Sequence, residues 1–260
     1  MELLPRHFCH DDRRLLQAWR RVARAAGMRL SELPKSKGSN AQPIIWLESS
    51  AVNPGVAVRY LSAGVHGDEP AAAWGLLGWA EQHVERLRHQ PIILFPCLNP
   101  EGLRANNRLD VRGQDLNRCF HQARHPVCSR WRRVLADRRL SLAICLHEDY
   151  DAQGCYVYEL QRRADAHWGA ALLAQAATQD LPVDPRREID GMRAQKGVIQ
   201  RHRVPTHLPG LPEAIVLHQL GCEVSLTFET PSEFSLDHRV AAQARFIEAA
   251  MQRQDEEESA

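Results

Sequence analysis

Two apolar runs in this chain, "PIILF" at 91–95 and "LAICL" at 142–146, are continuous, where a strand with one wet face would alternate apolar and polar residues. Strands of that kind are buried on both faces and belong to parallel sheets covered by helices on either side. The intervening segments agree with this. Residues 11–27, "DDRRLLQAWRRVARAAG", put Leu15, Leu16, Trp19, Val22 and Ala26 at helical spacing and end on a Gly stop signal. "IIWLES" and "VAVRYLSAG" read as strands divided by the turn Asn53-Pro54-Gly55, a helix is expected over about 70–88, and another around "SRWRRVLADRR". Further strands are expected at "LSLAICLHE", "GCYVYEL" and "CEVSLTFETP", with helices over 164–179 and from near Asp237 onward. The alternation predicts an α/β fold, a mostly parallel mixed sheet with helices on both faces. A length of 260 residues fits one domain over 1–254, and the closing "QRQDEEESA" predicts a disordered tail over 255–260.

In open sheets of this type ligands bind at the carboxyl ends of the strands, so polar residues placed there invite a functional reading. Four strand ends carry them: His66 and Glu69 in "HGDE", Asn99 and the segment behind it, His147 with Glu148 and Asp149, and Glu229 in "TFETP". A His in the turn after a strand and a Glu in the first turn of the next helix can reach one ion. A catalytic zinc takes three protein ligands, commonly two His and one Glu, and keeps a fourth position open. His147 supplies the third from a strand end in the same sheet, while His121 and His125, in an irregular segment among arginines, rank behind it. Taken singly, each of these histidines also reads as an ordinary hydrogen-bonded residue at a strand end.

The segment "NPEGLRANNRLDVRGQDLNRCF" (99–120) gathers Arg104, Arg108, Arg112 and Arg118 with Asn106, Asn107 and Asn117. Arg offers a planar fork that grips a carboxylate at two points, and Asn adds a neutral donor, so the loop suits the anionic end of a substrate. Pairing of Arg with Asp inside the loop is the plainer alternative. Glu229 closes an otherwise apolar strand, where an unpaired carboxylate is costly to bury. Beside a water acidified by a metal to a pKa of about 7 it has a task, taking the proton and passing it to a leaving amine. Its rival reading is a loop cap or a partner for one of the many arginines.

Charge and cysteines limit the remaining classes. The 33 basic and 32 acidic residues balance, and no stacking aromatics interleave the arginines, which disfavours nucleic acid. Seven scattered cysteines without a C-x-x-C pair fit reduced thiols in a cytoplasmic protein better than a disulfide framework. The opening "MELLPRHFCHDDRRLL" breaks any apolar run with charge, and nothing approaches the roughly 18 uncharged residues of a membrane span, so neither a Sec-type signal nor a membrane partner is expected.

Taken in order over residues 62–231, "HGDE", "NPEG", "NNRLDVRGQDLNRCF", "LH" and "FETP" resemble the motifs of the zinc carboxypeptidase family, the carboxypeptidase A-like metallocarboxypeptidases. The short interval from Glu69 to His147 is similar to that of compact bacterial members acting on murein peptides. "DLNR" is shared with the related aspartoacylase/succinylglutamate desuccinylase group. The resemblance implies a phosphorylase/hydrolase-like sheet and one Zn2+ held by His66, Glu69 and His147. It implies that Arg108 stabilises the oxyanion, that Asn117 and Arg118 grip a terminal carboxylate, and that Glu229 is general base and then general acid. The implied substrate is a peptide with a free carboxylate, or an N-acyl amino acid if the desuccinylase likeness governs. A non-catalytic carboxylate binder with a structural zinc is the reading from a different class. Two departures stand out. No tyrosine follows Tyr158 to serve as the mobile-loop tyrosine of digestive members, which leaves His207 or His218 as replacements, and only about thirty residues follow Glu229, short for the second small β domain usual in the desuccinylase group.

Overall fold

Four strands set the frame: β3 (Ala57–Ser62), β4 (Ile92–Phe95), β5 (Arg139–Asp149) and β10 (Val224–Pro231). They lie side by side in the order β4-β3-β5-β10, and every neighbouring pair among them is parallel. All four therefore release their chains at one edge of the sheet. The computed structural model describes residues 8–33, 42–162, 167–201, 204 and 208–259.

Shorter strands widen the sheet to eight. On one side β2 (Ile45–Glu48) pairs antiparallel with β4, and β1 (Arg29–Glu32) antiparallel with β2. On the other, β6 (Tyr156–Gln161) pairs antiparallel with β10, and β9 (Val198–Arg201) parallel with β6. A separate two-stranded ribbon, β7 (Glu188–Ile189) with β8 (Met192–Arg193), stands next to it in sequence. The α/β sheet with helices on both faces is as expected.

One apolar layer lies beneath α1 (Asp12–Ala26), α2 (Pro70–Gln82), α6 (Gly169–Ala176) and α8 (Leu236–Ser259), and the opposite layer beneath α5 (Pro126–Leu135) and α7 (Glu213–Gln219). The N-terminal helix forms where its spacing predicts. Asp11 caps it by accepting from the backbone N–H of Arg13 and Arg14, and Gly27 closes it at φ 65°. α2 is apolar all round and buried from Pro70 to Ala80, as a helix must be when it is covered on both sides. Gly75 permits the close approach of α8, for a Cβ there would stand 2.3 Å from that of Gln243.

Two expectations are corrected. The helix expected over 70–88 is broken at His83, whose backbone leaves the helical region (φ −122°, ψ 39°), and the chain resumes as α3 (Val84–His89). The His83 ring stacks on Trp79 at 5.2 Å, and its Nδ1 donates to the Trp79 carbonyl at 2.8 Å, a local bond that competes with the helix. The tail expected over 255–260 is helical through Ser259. Its acids are held in place: the buried Arg59 of β3 reaches Asp255 at 2.5 Å and Glu258 at 2.7 Å, and Arg253 pairs with Glu257 one turn on. Composition registers the charges as solvating, and the buried arginine that recruits them lies almost 200 residues away in sequence. All seven cysteines are buried free thiols. No helix of the described residues is long and apolar enough to cross a membrane.

Candidate active site

β3 ends at Ser62, and the turn from Ala63 to Glu69 carries the chain over the sheet edge into α2, which Pro70 opens at its first position. The turn is pressed against α4 (Pro100–Ala105): a Cβ on Gly67 would stand 1.9 Å from the carbonyl carbon of Gly102, so Gly67 has no room for a side chain. This contact aims His66 and Glu69 at the end of β5. There His66 Nδ1 lies 2.5 Å from Glu69 Oε1, and His147 Nδ1 lies 2.8 Å from Glu69 Oε2. The three side chains offer ligand atoms all within 4.8 Å of one another, and each residue is only 2 % exposed.

Burial disfavours charge on all three, yet their mutual field overrides it. Glu69 is held well below the ordinary carboxylate range by His66 and His147, although burial pushes it up. His66 is raised to about 9: burial lowers it, but Glu69 and Asp115 outweigh that, and His147 is raised in the same way by Glu69. A buried carboxylate between two imidazoles is a donor set that suits a divalent cation, and the negative field that raises both imidazoles favours a cation among them. The residues fit a metal ion.

One residue without a sequence-predicted role completes His66. Asp115 accepts from His66 Nε2 at 3.0 Å, which fixes the tautomer and leaves Nδ1 as the ring's ligand atom. The same carboxylate receives the Arg108 guanidinium at 3.1 Å and caps the turn Leu116–Arg118 through the backbone N–H of Asn117. The "DLNR" motif carries part of this signal: an Asp two residues before an Asn is a turn cap, and here Oδ1 takes both the Asn117 N–H and His66 while Oδ2 takes Arg108.

Register places the remaining groups. Across the sheet His147, Glu229 and Tyr156 form one row, and Cys145, Thr227 and Tyr158 the row below it on the same face. All six line a cavity of about 570 Å³ together with His66, Glu69, Arg108, Asn117 and Arg118, so the seven site residues expected from sequence share one space. The Glu229 carboxyl accepts no hydrogen bond from any described residue. Burial raises its pKa well above the usual carboxylate range, with Glu69, Asp149 and Asp190 adding to the effect and His147 opposing it.

Other candidates settle elsewhere. His121 accepts from the backbone N–H of Leu211, and His125 caps α5, so both serve structure. His218 lies on α7 outside the cavity lining, and His207 lies outside the described residues. Tyrosines do reach the cavity, from β6, where Tyr156 donates to Asp149 at 3.0 Å and Tyr158 bonds Asp190. The period-two spacing in "YVY" carries that information, because residues two apart in a strand share a face.

The family model for the succinylglutamate desuccinylase/aspartoacylase catalytic domain matches residues 56–185, half of the 260-residue chain. The chain belongs to this hydrolase family. The matched segment holds His66, Glu69, Arg108, Asn117, Arg118 and His147, while Glu229 lies beyond it. No curated protein sequence matches significantly. Among solved structures, a presumptive metallopeptidase from Shewanella amazonensis superposes with a TM-score of 0.81 at 22% identity, covering 95% of this chain and 96% of its own. A metallo-carboxypeptidase from Burkholderia cenocepacia gives 0.67 at 17% identity over 94% of this chain and 69% of its own. The murein-tripeptide amidase of Escherichia coli O157 gives 0.54 at 17% identity over 86% and 90%. At these identities the likeness is one of fold: the desuccinylase family member carries the zinc carboxypeptidase-like sheet.

Proposed function

We propose that this protein is a zinc-dependent hydrolase that cleaves an amide bond next to a free carboxylate. The observation that carries the reading is the shared cavity, where a buried His66, Glu69, His147 group meets an unpartnered Glu229 and the pair Asn117 and Arg118. Zinc held by those three ligands would supply a Lewis acid that polarises a carbonyl and acidifies water to a pKa of about 7. Glu229 takes one proton from the attacking water as its oxygen bonds the carbonyl carbon. It then delivers that proton to the amine nitrogen as the C–N bond breaks. Arg108, half-exposed at the rim, swings from Asp115 to the developing oxyanion. Arg118, whose guanidinium donates to the carbonyl of Asn117, joins Asn117 in holding the carboxylate.

A terminal peptide bond is the leading substrate, and the family model favours a second, an N-acyl amino acid. Mass spectrometry of the zinc-loaded protein with free-carboxylate peptides, murein peptides and N-acyl amino acids, with and without chelator, separates them. Chelator-sensitive loss of a C-terminal residue supports the first and release of a small acyl acid the second. Absence of any product removes the hydrolase. The Glu229→Gln variant is expected to keep its metal while turnover falls by at least about 100-fold, and an active variant would exclude the mechanism.

A further inference from the structure

Asn117 belongs to a three-residue turn, and its amide is aimed from outside. Its Oδ1 accepts from the backbone N–H of Glu213, the first residue of α7, at 2.9 Å. That bond assigns the oxygen, so Nδ2 is the end left to donate to a ligand in the cavity that Asn117 lines. The preceding loop is seated on the same turn. A Cβ on Gly210 would stand 2.2 Å from the Arg118 carbonyl oxygen, and Leu211 bridges to Cys119.

The side chain of Glu213 points the other way. It is fully buried, accepts from Ser62 Oγ at 2.8 Å and from the Tyr60 hydroxyl, and Tyr60 in turn accepts from Trp131 Nε1 at 2.7 Å. A carboxyl inside an apolar layer is costly and is retained only with full hydrogen bonding. α7 has no side-chain N-cap, so this anchor to β3 is what fixes where the helix begins. The next two residues, Ala214 and Ile215, line the cavity.

We propose that Glu213 is a positioning residue for carboxylate recognition: its buried side chain ties the start of α7 to β3, so that its own N–H holds Asn117 with the amide donor toward the ligand. The inference rests on the reading of Asn117 given above. It is tested by binding, so that turnover is a separate question. In the Glu229→Gln background, calorimetry measures the affinity for N-acetyl amino acids and for the carboxamide of each. Glu213→Gln keeps the shape but sets a donor against the hydroxyls of Tyr60 or Ser62, and Tyr60→Phe removes one anchor while leaving every residue of α7 unchanged. Thermal melts confirm that each variant is folded.

The expected result is a loss of at least fivefold in affinity for the free acids in Glu213→Gln, a smaller loss in Tyr60→Phe, and less than twofold change for the carboxamides. Added to Asn117→Ala, Glu213→Gln should cost less than a further twofold. Equal losses for acids and carboxamides, full additivity with Asn117→Ala, no change at all, or no binding of any free acid to the parent would each overturn the proposal. Turnover by Glu229→Gln, or none by the unaltered protein, instead removes the hydrolase reading.

Discussion

At the scale of single residues the centre depends on Asp115 as much as on any ligand. It bonds His66, restrains Arg108 and caps the turn of Asn117, so one carboxylate ties the His66, Glu69, His147 group to the cavity wall that Asn117 lines. Burial pushes its pKa up, but His66 and the nearby arginines hold it well below the ordinary range, so it is ionised throughout the physiological span. Asp115→Ala is expected to weaken zinc binding by roughly 10–100-fold. Competition with a calibrated chelator measures this, and an unchanged affinity would show that the His66 tautomer is fixed by something else. His66, Glu69 and His147 were legible in sequence because each lies in a short polar group that directly follows an apolar strand. Asp115 was harder to see because its role depends on a fold that brings residues 66 and 115 within 3.0 Å.

Among the elements, the turn after β3 and the helix α4 act as one part through the Gly67 and Gly102 backbones. Gly67→Ala forces them apart. Overpacking of this kind costs about 1–3 kcal/mol, a fall of roughly 2–12 °C in Tm for a chain of this size, and the zinc content should drop with it. A variant that melts like the parent and keeps its metal would mean that the turn can yield. The far end of the sheet shows a different coupling, where Arg59 and Arg86 hold Asp255. Burial raises the Asp255 pKa, but the two arginines depress it below the unfolded value of 3.8. A depressed carboxylate contributes stability above its unfolded pKa and loses it as pH falls through the folded one. Asp255→Asn should therefore lower Tm near neutrality and shrink the acid-side loss below about pH 4, which melts at pH 7 and pH 3 would compare. The principal strands and α1 were legible from continuous apolar runs and caps. β7, β8, β9 and α7 were not: β7 and β8 have two residues each, β9 ("VIQR") has neither a continuous apolar run nor an alternation, and α7 starts after Pro212 without a capping side chain.

For the molecule as a whole, one site ties together the start of α2, the end of β5 and, through Asp115, the segment after α4. An ion that binds only the folded chain stabilises it, by about 2.7 kcal/mol when present at 100 times its Kd. Chelation should therefore lower Tm by several degrees and zinc restore it, whereas a melting curve indifferent to both would argue against a bound ion at this place. The sheet that carries the site has a further property. Because His147, Glu229 and Tyr156 share a face only through their pairing register, one codon inserted or deleted within β5 or β10 would turn the chemistry to the opposite side of the sheet. Lineages of this protein can thus change length between the strands, as in the stretch between β6 and β10 that walls the cavity. Within β5 and β10 they can diverge only by exchanging one amino acid for another.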